Sequence, residues 1–298
     1  MPTHEITAAA AGSWTLGDRT VRRMGFGTMR ITAAPDADRA IRVLRRAVEL
    51  GVDHLDTAAF YVSPGGTLNV GSGPARYAPE LIRAALAPYS DDLFIATKVG
   101  FAYDPATGLR EETSPAGLRA QVEENLRRLG RDHLDLVNLR IVKRPGRDSV
   151  AESFAALAAL RDAGLIRHLG LSNVRLDHLD EAQAIAPVVC VQNSYALDNR
   201  GDQDALLREC GARGIAYVPF FALAGARREA GAAAEHPAAV HAVARAHGAT
   251  PHQVRLAWTL HQGPHVLAIP GTGDPEHVAQ NVAAGALRLT AGELAALG

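Results

Sequence analysis

The stretch V-D-H-L-D-T-A-A-F-Y, residues 52–61, sets the architecture that we predict for the whole chain. Val52 and Leu55 make it apolar enough to enter a buried strand. The strand ends in an acid, Asp56, and a phenol follows five residues later at Tyr61. Parallel α/β proteins collect ligands at the carboxyl ends of their strands, where the loops meet. The stretch therefore predicts a strand end that carries part of a site.

An apolar strand, a short loop, an amphipathic helix and a glycine or polar stop recur along the chain. The predicted strands end near residue 28 and cover 53–56, 92–98, 134–142, 166–173, 188–195, 215–221 and 265–272. Such alternation requires a parallel sheet covered by helices. Eight units in 298 residues favour an α/β fold of the (β/α)₈ TIM-barrel type. We also predict an N-terminal β-hairpin that turns at Gly17-Asp18, and extra C-terminal helices around 237–247 and 251–261.

An open doubly wound sheet is the alternative architecture. It needs a Gly-x-Gly-x-x-Gly turn after the first strand, and the corresponding stretch GFGTMR (25–30) lacks the third glycine. No linker divides the chain, so we predict a single domain over 1–298 with residues 1–12 as a flexible tail. The glycine-rich segment 62–76 is predicted to be a long loop over the site.

Composition excludes several functional classes. The formal net charge of -1 gives no strong field for nucleic acid or an anionic membrane. No apolar run approaches the roughly 18 residues of a membrane span. Cys190 and Cys210 form no C-x-x-C motif, and the histidines show no metal-ligand spacing, so we predict no disulfide scaffold and no metal. A cytoplasmic protein that acts on a small molecule is the expectation, and the oligomeric state is not predicted.

The predicted strands end in residues that are unusual for a core. These are Gly27-Thr28, Asp56, Lys98, Arg140, Ser172-Asn173, Gln192-Asn193, Phe220-Phe221 and Gly271-Thr272. In a barrel they all project at one rim. Buried Asp and Lys are almost always paired, so Asp56 and Lys98 on adjacent strands should form an ion pair.

Tyr61 is the candidate proton donor of this rim. A phenol has a pKa near 10 and is a poor acid at neutral pH. A neighbouring ammonium favours the phenolate and lowers that pKa. With Lys98 and Asp56 beside it, Tyr61 is predicted to give a proton to an oxygen that gains charge.

The sequence resembles the aldo-keto reductases over nearly its whole length. The resemblance rests on GFGTM (25–29), D-T-A-x-x-Y (56–61), T-K (97–98), GLSN (170–173), VQN (191–193) and IPGT (269–272), with Asn281 downstream. It implies the barrel and reduction of a carbonyl to an alcohol with NADPH. It also implies that Tyr61 donates the proton while Lys98 and Asp56 tune it.

The resemblance further implies a nicotinamide cofactor site. In it, Ser172, Asn173 and Gln192 hold the carboxamide, and Phe220 stacks on the nicotinamide ring. The adenosine 2′-phosphate end is assigned to Gly271, Thr272, His277, Gln280 and Asn281. The same resemblance adds Gly27, Thr28, Met29, Asp56, Phe221, Leu223 and Gly273 to the cofactor residues.

Arg140 departs from the family, which usually has a histidine at the end of the fourth strand. Arginine stays charged and cannot act as a proton acid, which leaves Tyr61 as the acid. Arg140 can stabilise the developing oxyanion as a fourth catalytic residue. Alternatively, it binds an anionic substrate, or it simply pairs with a rim acid such as Asp56 or Glu80.

A second departure lies at the adenosine end. The common pattern has Lys where Gly271 stands and Arg where His277 stands. Fewer fixed positive charges face the 2′-phosphate, so NADPH is the expected cofactor and NADH remains an alternative. Arg76 and Arg227-Arg228 lie in predicted loops from which they could compensate.

A narrower resemblance is carried by NLR (138–140), TKVG (97–100), RHLGLSNV (167–174), VCVQN (189–193) and AYVPFF (216–221). These stretches are similar to bacterial pyridoxal reductases of the same superfamily, which implies reduction of pyridoxal to pyridoxine. Two other functions stay open. One is an NAD(P)-dependent sugar or aldose dehydrogenase, and the other is a nicotinamide-binding, redox-sensing regulatory subunit without appreciable turnover.

Overall fold

The computed structural model describes residues 6–70, 73–144, 148–223 and 235–298. Its strands are β1 (Ser13–Leu16), β2 (Arg19–Arg22), β3 (Phe26–Gly27), β4 (His54–Asp56), β5 (Val62–Ser63), β6 (Arg76–Tyr77), β7 (Phe94–Val99), β8 (Phe101–Asp104), β9 (Gly108–Glu111), β10 (Leu134–Arg140), β11 (Ile166–Ser172), β12 (Val188–Gln192) and β13 (Ala216–Tyr217). Its helices are α1 (Ala37–Glu49), α2 (Ala78–Leu86), α3 (Pro115–Leu129), α4 (Ala151–Asp162), α5 (Leu176–Gln183), α6 (Gln203–Ala212), α7 (Ala238–His247), α8 (Pro251–His261), α9 (Pro275–Ala283) and α10 (Ala291–Leu297).

The central sheet is a curled parallel sheet that closes into a barrel. Within the described ranges it has seven strands in the order β13-β12-β11-β10-β7-β4-β3. The eighth position is filled by parallel bridges from Val266 to Tyr217 and from Ala268 to Met24, which join the two edges. The predicted (β/α)₈ TIM barrel is thereby confirmed. Strand bounds were too long at 215–221 and 265–272, where β13 has two residues and the last strand is reduced to bridges.

Helix α1 shows how sequence pattern sets the outer layer. The Asp36 side chain accepts a hydrogen bond from the Arg39 backbone N–H at 2.6 Å and so caps the first turn. Ala40, Val43, Leu44 and Ala47 recur at helical spacing and are buried. The helix ends just before Gly51, whose φ of 82° is costly for other residues. The chain then enters β4 and delivers Asp56 to the rim.

The predicted N-terminal hairpin is confirmed, and it closes one end of the barrel. β1 and β2 pair antiparallel around the Gly17-Asp18 turn. Leu16 and Val21 are buried among residues that point into the barrel, including Phe94, Leu136 and Leu267. Asp18 lies 2.7 Å from Nε2 of His168 on β11. The hairpin thus fills the barrel end opposite to the strand carboxyl ends.

Residues 6–12 differ from the flexible tail predicted over 1–12. Ala8–Ala11 forms a 3₁₀-helix, and Ala8 is fully buried. The Ala8 backbone N–H donates to the carbonyl of Leu50 at 2.8 Å, and Gly285 packs directly against Ala11. Small residues allow this close packing, which the sequence pattern alone did not indicate. Residues 1–5 lie outside the described ranges.

Two additions to the barrel bear on the site. The loop predicted over 62–76 contains a short antiparallel pair, β5 with β6, and its residues 71–72 are outside the described ranges. After β7, strands β8 and β9 form a hairpin that we did not predict. The extra C-terminal helices are confirmed as α7 and α8, and α9 and α10 follow them. Across the described residues, no helix has the length and apolar character to cross a membrane.

Candidate active site

Asp56 and Lys98 form a buried ion pair at the carboxyl ends of adjacent strands β4 and β7. The Lys98 Nζ donates to Asp56 Oδ2 at 2.6 Å and to the Thr57 carbonyl oxygen at 3.1 Å. Both side chains are about 95% or more buried, at 2% and 5% exposed. Burial alone would lower the pKa of Lys98, but Asp56 and Tyr61 outweigh it and raise that pKa. The ammonium is therefore a fixed positive charge below Tyr61.

Gln192 at the end of β12 completes the hydrogen bonding of Asp56. Its Nε2 donates to Asp56 Oδ1 at 2.7 Å, so both carboxylate oxygens have a donor. The Oε1 of the same amide is buried and has no hydrogen-bond partner within the described residues. A buried acceptor without a donor is costly, so this atom is a candidate acceptor for a ligand N–H.

Tyr61 lies beside this pair on the loop after β4. The Lys98 Nζ is 4.7 Å from the centre of its ring, and the Tyr61 side chain is partly buried. Burial raises the pKa of Tyr61 above 10, and the lowering effect of Lys98 does not overcome it. The predicted net lowering of this pKa is therefore wrong. The physical reason is desolvation of the phenolate, which residue types and spacing do not reveal.

Arg140, the last residue of β10, also faces this region. Its Nη1 donates to Ser172 Oγ at 3.2 Å, and its guanidinium carbon lies 5.0 Å from the Phe220 ring centre. No carboxylate of the described residues lies within ion-pair distance of it. Glu80, one predicted partner, pairs with Arg128 instead. Burial lowers the pKa of Arg140, though an arginine remains charged.

A cavity of about 470 Å³ joins these groups at the barrel rim. Of the predicted site residues, it is lined by Gly27, Met29, Asp56, Tyr61, Lys98, Arg140, Asn173, Phe220, Phe221, Leu223 and Gly271. Two of them, Asn173 and Phe221, have φ values of 61° and 63°. Non-glycine residues rarely adopt this left-handed conformation, and such strain clusters at functional sites.

The remaining predicted cofactor residues do not line the cavity. Ser172 and Gln192 are buried beside it, and Thr28 donates through Oγ1 to the Asp56 carbonyl oxygen at 2.9 Å. Thr272, Gly273, His277, Gln280 and Asn281 extend away from it along the α9 segment, where His277 and Gln280 are exposed. Their assignment to an adenosine end stays a prediction.

The two compensating arginine positions have different outcomes. Arg76 donates to the carbonyl oxygens of Thr32 and Ala34, so it is committed to the backbone of a neighbouring turn. Arg227-Arg228 lie outside the described residues.

Several cavity residues were missed by our reading of the sequence. They are Arg30, Phe60, Gly66, Thr67, Phe101, Leu109, Ser194, Pro219, Ala222, Ile269 and Pro270. Phe101 and Leu109 come from the β8–β9 hairpin. Its signal was present in FAYDPATGLRE, since D-P-A-T-G between two extended segments is typical of a hairpin loop.

Gly100 is a point where the backbone itself positions Arg140. Its φ is 113°, and a Cβ there would lie 2.0 Å from the Arg140 carbonyl oxygen. We expect Gly100→Ala to lower the free energy of unfolding by at least about 1–3 kcal/mol from backbone strain, with a further loss from this contact. Urea denaturation measures the change.

Gly164 offers a matched control. It has φ of 82°, yet a Cβ there would meet nothing within 4 Å. Gly164→Ala should therefore lower the free energy of unfolding only through backbone strain, without a steric contact. Equal losses in the two variants would show that the close approach of Gly100 to Arg140 has no energetic weight.

Comparisons with known proteins agree with this geometry. The sequence pattern of the Aldo/keto reductase family matches residues 23–298. The chain is 41% identical over 291 residues to pyridoxine 4-dehydrogenase of Escherichia coli K12, covering 94% of this chain and 95% of that protein. It is 36% identical to an uncharacterized oxidoreductase of Schizosaccharomyces pombe, covering 96% and 88%.

A solved structure supports the same assignment. The aldo-keto reductase of Klebsiella pneumoniae in complex with NADPH superposes with a TM-score of 0.77 at 28% identity, covering 96% of this chain and 93% of that one. Nearly the whole chain is thus shared in both sequence and fold. The chain belongs to the aldo/keto reductase family and is an oxidoreductase.

Proposed function

We propose that the protein reduces an aldehyde to the corresponding alcohol with NADPH, that Tyr61 donates the proton, and that pyridoxal is the best candidate substrate. The observation that carries the proposal is the buried Asp56–Lys98 pair directly beside Tyr61 in an aromatic cavity. A partly buried phenol next to a fixed ammonium is suited to protonate an oxygen that gains negative charge.

The residues present fit a nicotinamide cofactor. The unpartnered Gln192 Oε1 suits a carboxamide N–H, and Phe220 offers a ring face on the cavity wall. Ser172 and Asn173 stand next to Gln192 at the neighbouring strand end. When bound, NADPH supplies the hydride that reduces the carbonyl carbon.

The acid is available at neutral pH. Because burial raises the Tyr61 pKa, the phenol stays protonated throughout the neutral range. Lys98 favours the phenolate that proton donation leaves behind, and Asp56 holds Lys98 in place through the 2.6 Å hydrogen bond. Proton donation at Tyr61 Oη thus has a stabilised product without a second acid at Arg140.

The name of the Escherichia coli relative favours pyridoxal as the substrate. That protein is a pyridoxine 4-dehydrogenase, and its dehydrogenation product at carbon 4 is an aldehyde. A single enzyme catalyses both directions of such a reaction. The family membership favours an enzyme over the regulatory-subunit alternative.

A carbonyl panel tests the proposal directly. Purified protein is assayed with pyridoxal, aromatic and aliphatic aldehydes and ketones, following the absorbance of NADPH and of NADH, and with sugars and oxidised cofactors in the reverse direction. We expect the highest kcat/KM with pyridoxal and NADPH. Faster sugar oxidation would favour the aldose dehydrogenase alternative, and cofactor binding without turnover would favour the regulatory one.

The α9 segment leads to a prediction on cofactor preference. Asp274 accepts from the Glu276 backbone N–H at 2.9 Å, and Arg39 donates to Asp274 at 2.9 Å and is thereby committed. The negative charges of Asp274 and Glu276 surround His277. We expect His277→Arg to lower KM for NADPH by up to about fivefold, because one added ion pair at an exposed site contributes up to about 1 kcal/mol.

KM for NADH serves as the internal control for His277→Arg, because NADH lacks the 2′-phosphate. It should stay within about twofold of the unsubstituted protein. A parallel fall in both KM values would mean that His277 does not face the 2′-phosphate end.

A further inference from the structure

We propose that the aldehyde reduced here is aromatic, carries an ionised hydroxyl on the ring carbon beside the carbon that holds the aldehyde, and presents that oxygen to Arg140. The inference rests on the proposed function, since it assumes aldehyde reduction at Tyr61. It assigns to Arg140 a specificity-determining role.

The first step of the argument is charge. Arg140 lines the cavity and, within the described ranges, has no carboxylate at ion-pair distance. Asp56, the acid that lines the same cavity, is occupied on both oxygens by Lys98 and Gln192. Arg140 is partly buried, and a guanidinium that loses part of its hydration without a counter-ion is unfavourable. The missing negative charge is therefore expected to arrive with the ligand.

The second step is donor geometry. Arginine presents five N–H donors in a planar fork that matches two oxygens side by side. Within the described residues, Arg140 donates one hydrogen bond, to Ser172 Oγ, and this bond uses one of its five N–H donors. An aldehyde oxygen and an ionised oxygen on the neighbouring ring carbon form such a pair of acceptors. Arg140 would then stabilise the developing oxyanion and bind an anionic group of the substrate at the same time, which combines the two interpretations given above.

The third step is the shape of the cavity wall. Phe101 and Phe220 lie 6.0 Å and 5.0 Å from the guanidinium carbon of Arg140. Phe60 packs between Phe101 and Tyr61, with ring centres 5.8 Å and 5.4 Å apart. Aromatic side chains favour a flat ring over a polyhydroxylated aliphatic chain, and the guanidinium among them favours a ring that carries negative charge. Pyridoxal has this arrangement, with a ring hydroxyl beside the aldehyde-bearing carbon.

The chemical consequence explains why a cation is placed there. An ionised oxygen beside the aldehyde feeds electron density into the carbonyl and makes it a poorer hydride acceptor. Arg140 neutralises that oxygen and so restores the electrophilic character of the carbonyl. The arginine thereby selects substrates that other aldehyde reductions would disfavour.

Matched substrates provide the experiment. With NADPH saturating, kcat/KM is measured for 2-hydroxybenzaldehyde, 4-hydroxybenzaldehyde and 2-methoxybenzaldehyde. A charge-assisted hydrogen bond contributes about 1.5–3 kcal/mol, so we expect the 2-hydroxy compound to be favoured by about tenfold or more. The preference should rise with pH as the substrate hydroxyl ionises, and the 2-methoxy compound should show no such rise.

Variants assign the preference to Arg140. Arg140→Gln should abolish both the 2-hydroxy preference and its pH dependence, and Arg140→Lys should keep the charge but lose most of the advantage of the fork. Arg167→Gln is the matched control, because Arg167 is an exposed arginine on the neighbouring strand β11. It should retain the full preference and the pH profile.

The outcomes separate the two proposals. If none of the aldehydes is reduced with either cofactor, the proposed function itself is wrong. If all three are reduced with similar kcat/KM, or if Arg140→Gln keeps the 2-hydroxy preference, the protein is an aldehyde reductase and the role of Arg140 is wrong. Urea denaturation checks whether Arg140→Gln still folds. If it does not, the pH profile of Arg140→Lys is measured instead, and a full 2-hydroxy preference in that variant would contradict the role of Arg140.

Discussion

Tyr61→Phe is expected to lower kcat for aldehyde reduction by roughly 10²–10⁴-fold, the usual contribution of a general acid. The substitution removes one oxygen and keeps the ring that packs against Phe60. NADPH binding, followed by quenching of protein fluorescence, should change by less than about threefold, within the spread of a lost neutral hydrogen bond. A selective loss of kcat would place Tyr61 at the reacting oxygen.

Tyr103→Phe is the matched control for that experiment. Tyr103 lies on β8, and its ring contacts Tyr77 with 6.2 Å between centres. Its hydroxyl has no part in the proposed chemistry, so kcat should be unchanged. Near-normal turnover of Tyr61→Phe would contradict Tyr61 as the proton donor, whatever the control shows.

Lys98→Met should be the most destabilising substitution of the site. It leaves the Asp56 carboxylate buried without its cation, and breaking a buried pair in this way costs roughly 3–5 kcal/mol. Urea denaturation at neutral pH measures the loss. Turnover should fall as well, since the charge that favours the Tyr61 phenolate is gone.

The double variant Lys98→Met with Asp56→Asn tests the origin of that loss. A neutral amide can still accept the hydrogen bond from Gln192, so most of the lost stability should return without any return of turnover. Lys143→Met, at the chain's other lysine, which is not buried, should change stability by less than about 0.5 kcal/mol. If the double variant is no more stable than Lys98→Met, the cost does not come from an unpaired carboxylate.

Strand-end reasoning predicted the contact between Asp56 and Lys98, because charged residues at the ends of buried strands need a partner. An acid and a lysine at the ends of apolar strands are hard to explain as ordinary surface residues. Asp56 and Lys98 are indeed in contact. Lys98 and Gln192 come from distant parts of the sequence, yet alternation of strands and helices is enough to bring them to one rim. The barrel followed from the same alternation.

Other features depend on three-dimensional surroundings that the sequence pattern does not contain. Whether the pKa of Tyr61 rises or falls depends on how far the fold removes the phenol from water. The spacing of residues in the sequence does not show this. The 3₁₀-helix at Ala8–Ala11 is held by a backbone hydrogen bond to the Leu50 carbonyl, and Gly285 has no side chain that would collide with Ala11. The reduced eighth strand reflects closure of the ring by single bridges, whereas apolar residues over 265–272 suggested a full strand.

The N-terminal hairpin has a consequence for the traffic of reactants. Since Leu16 and Val21 block one end of the barrel, whatever reaches Gln192 enters and leaves by the opposite mouth. Gln192 is buried and Tyr61 is partly exposed, so we expect a molecule held at the Gln192 amide to bind before one that rests against the phenol. The two-stranded hairpin thus leaves the barrel with a single entrance, which both reactants have to share.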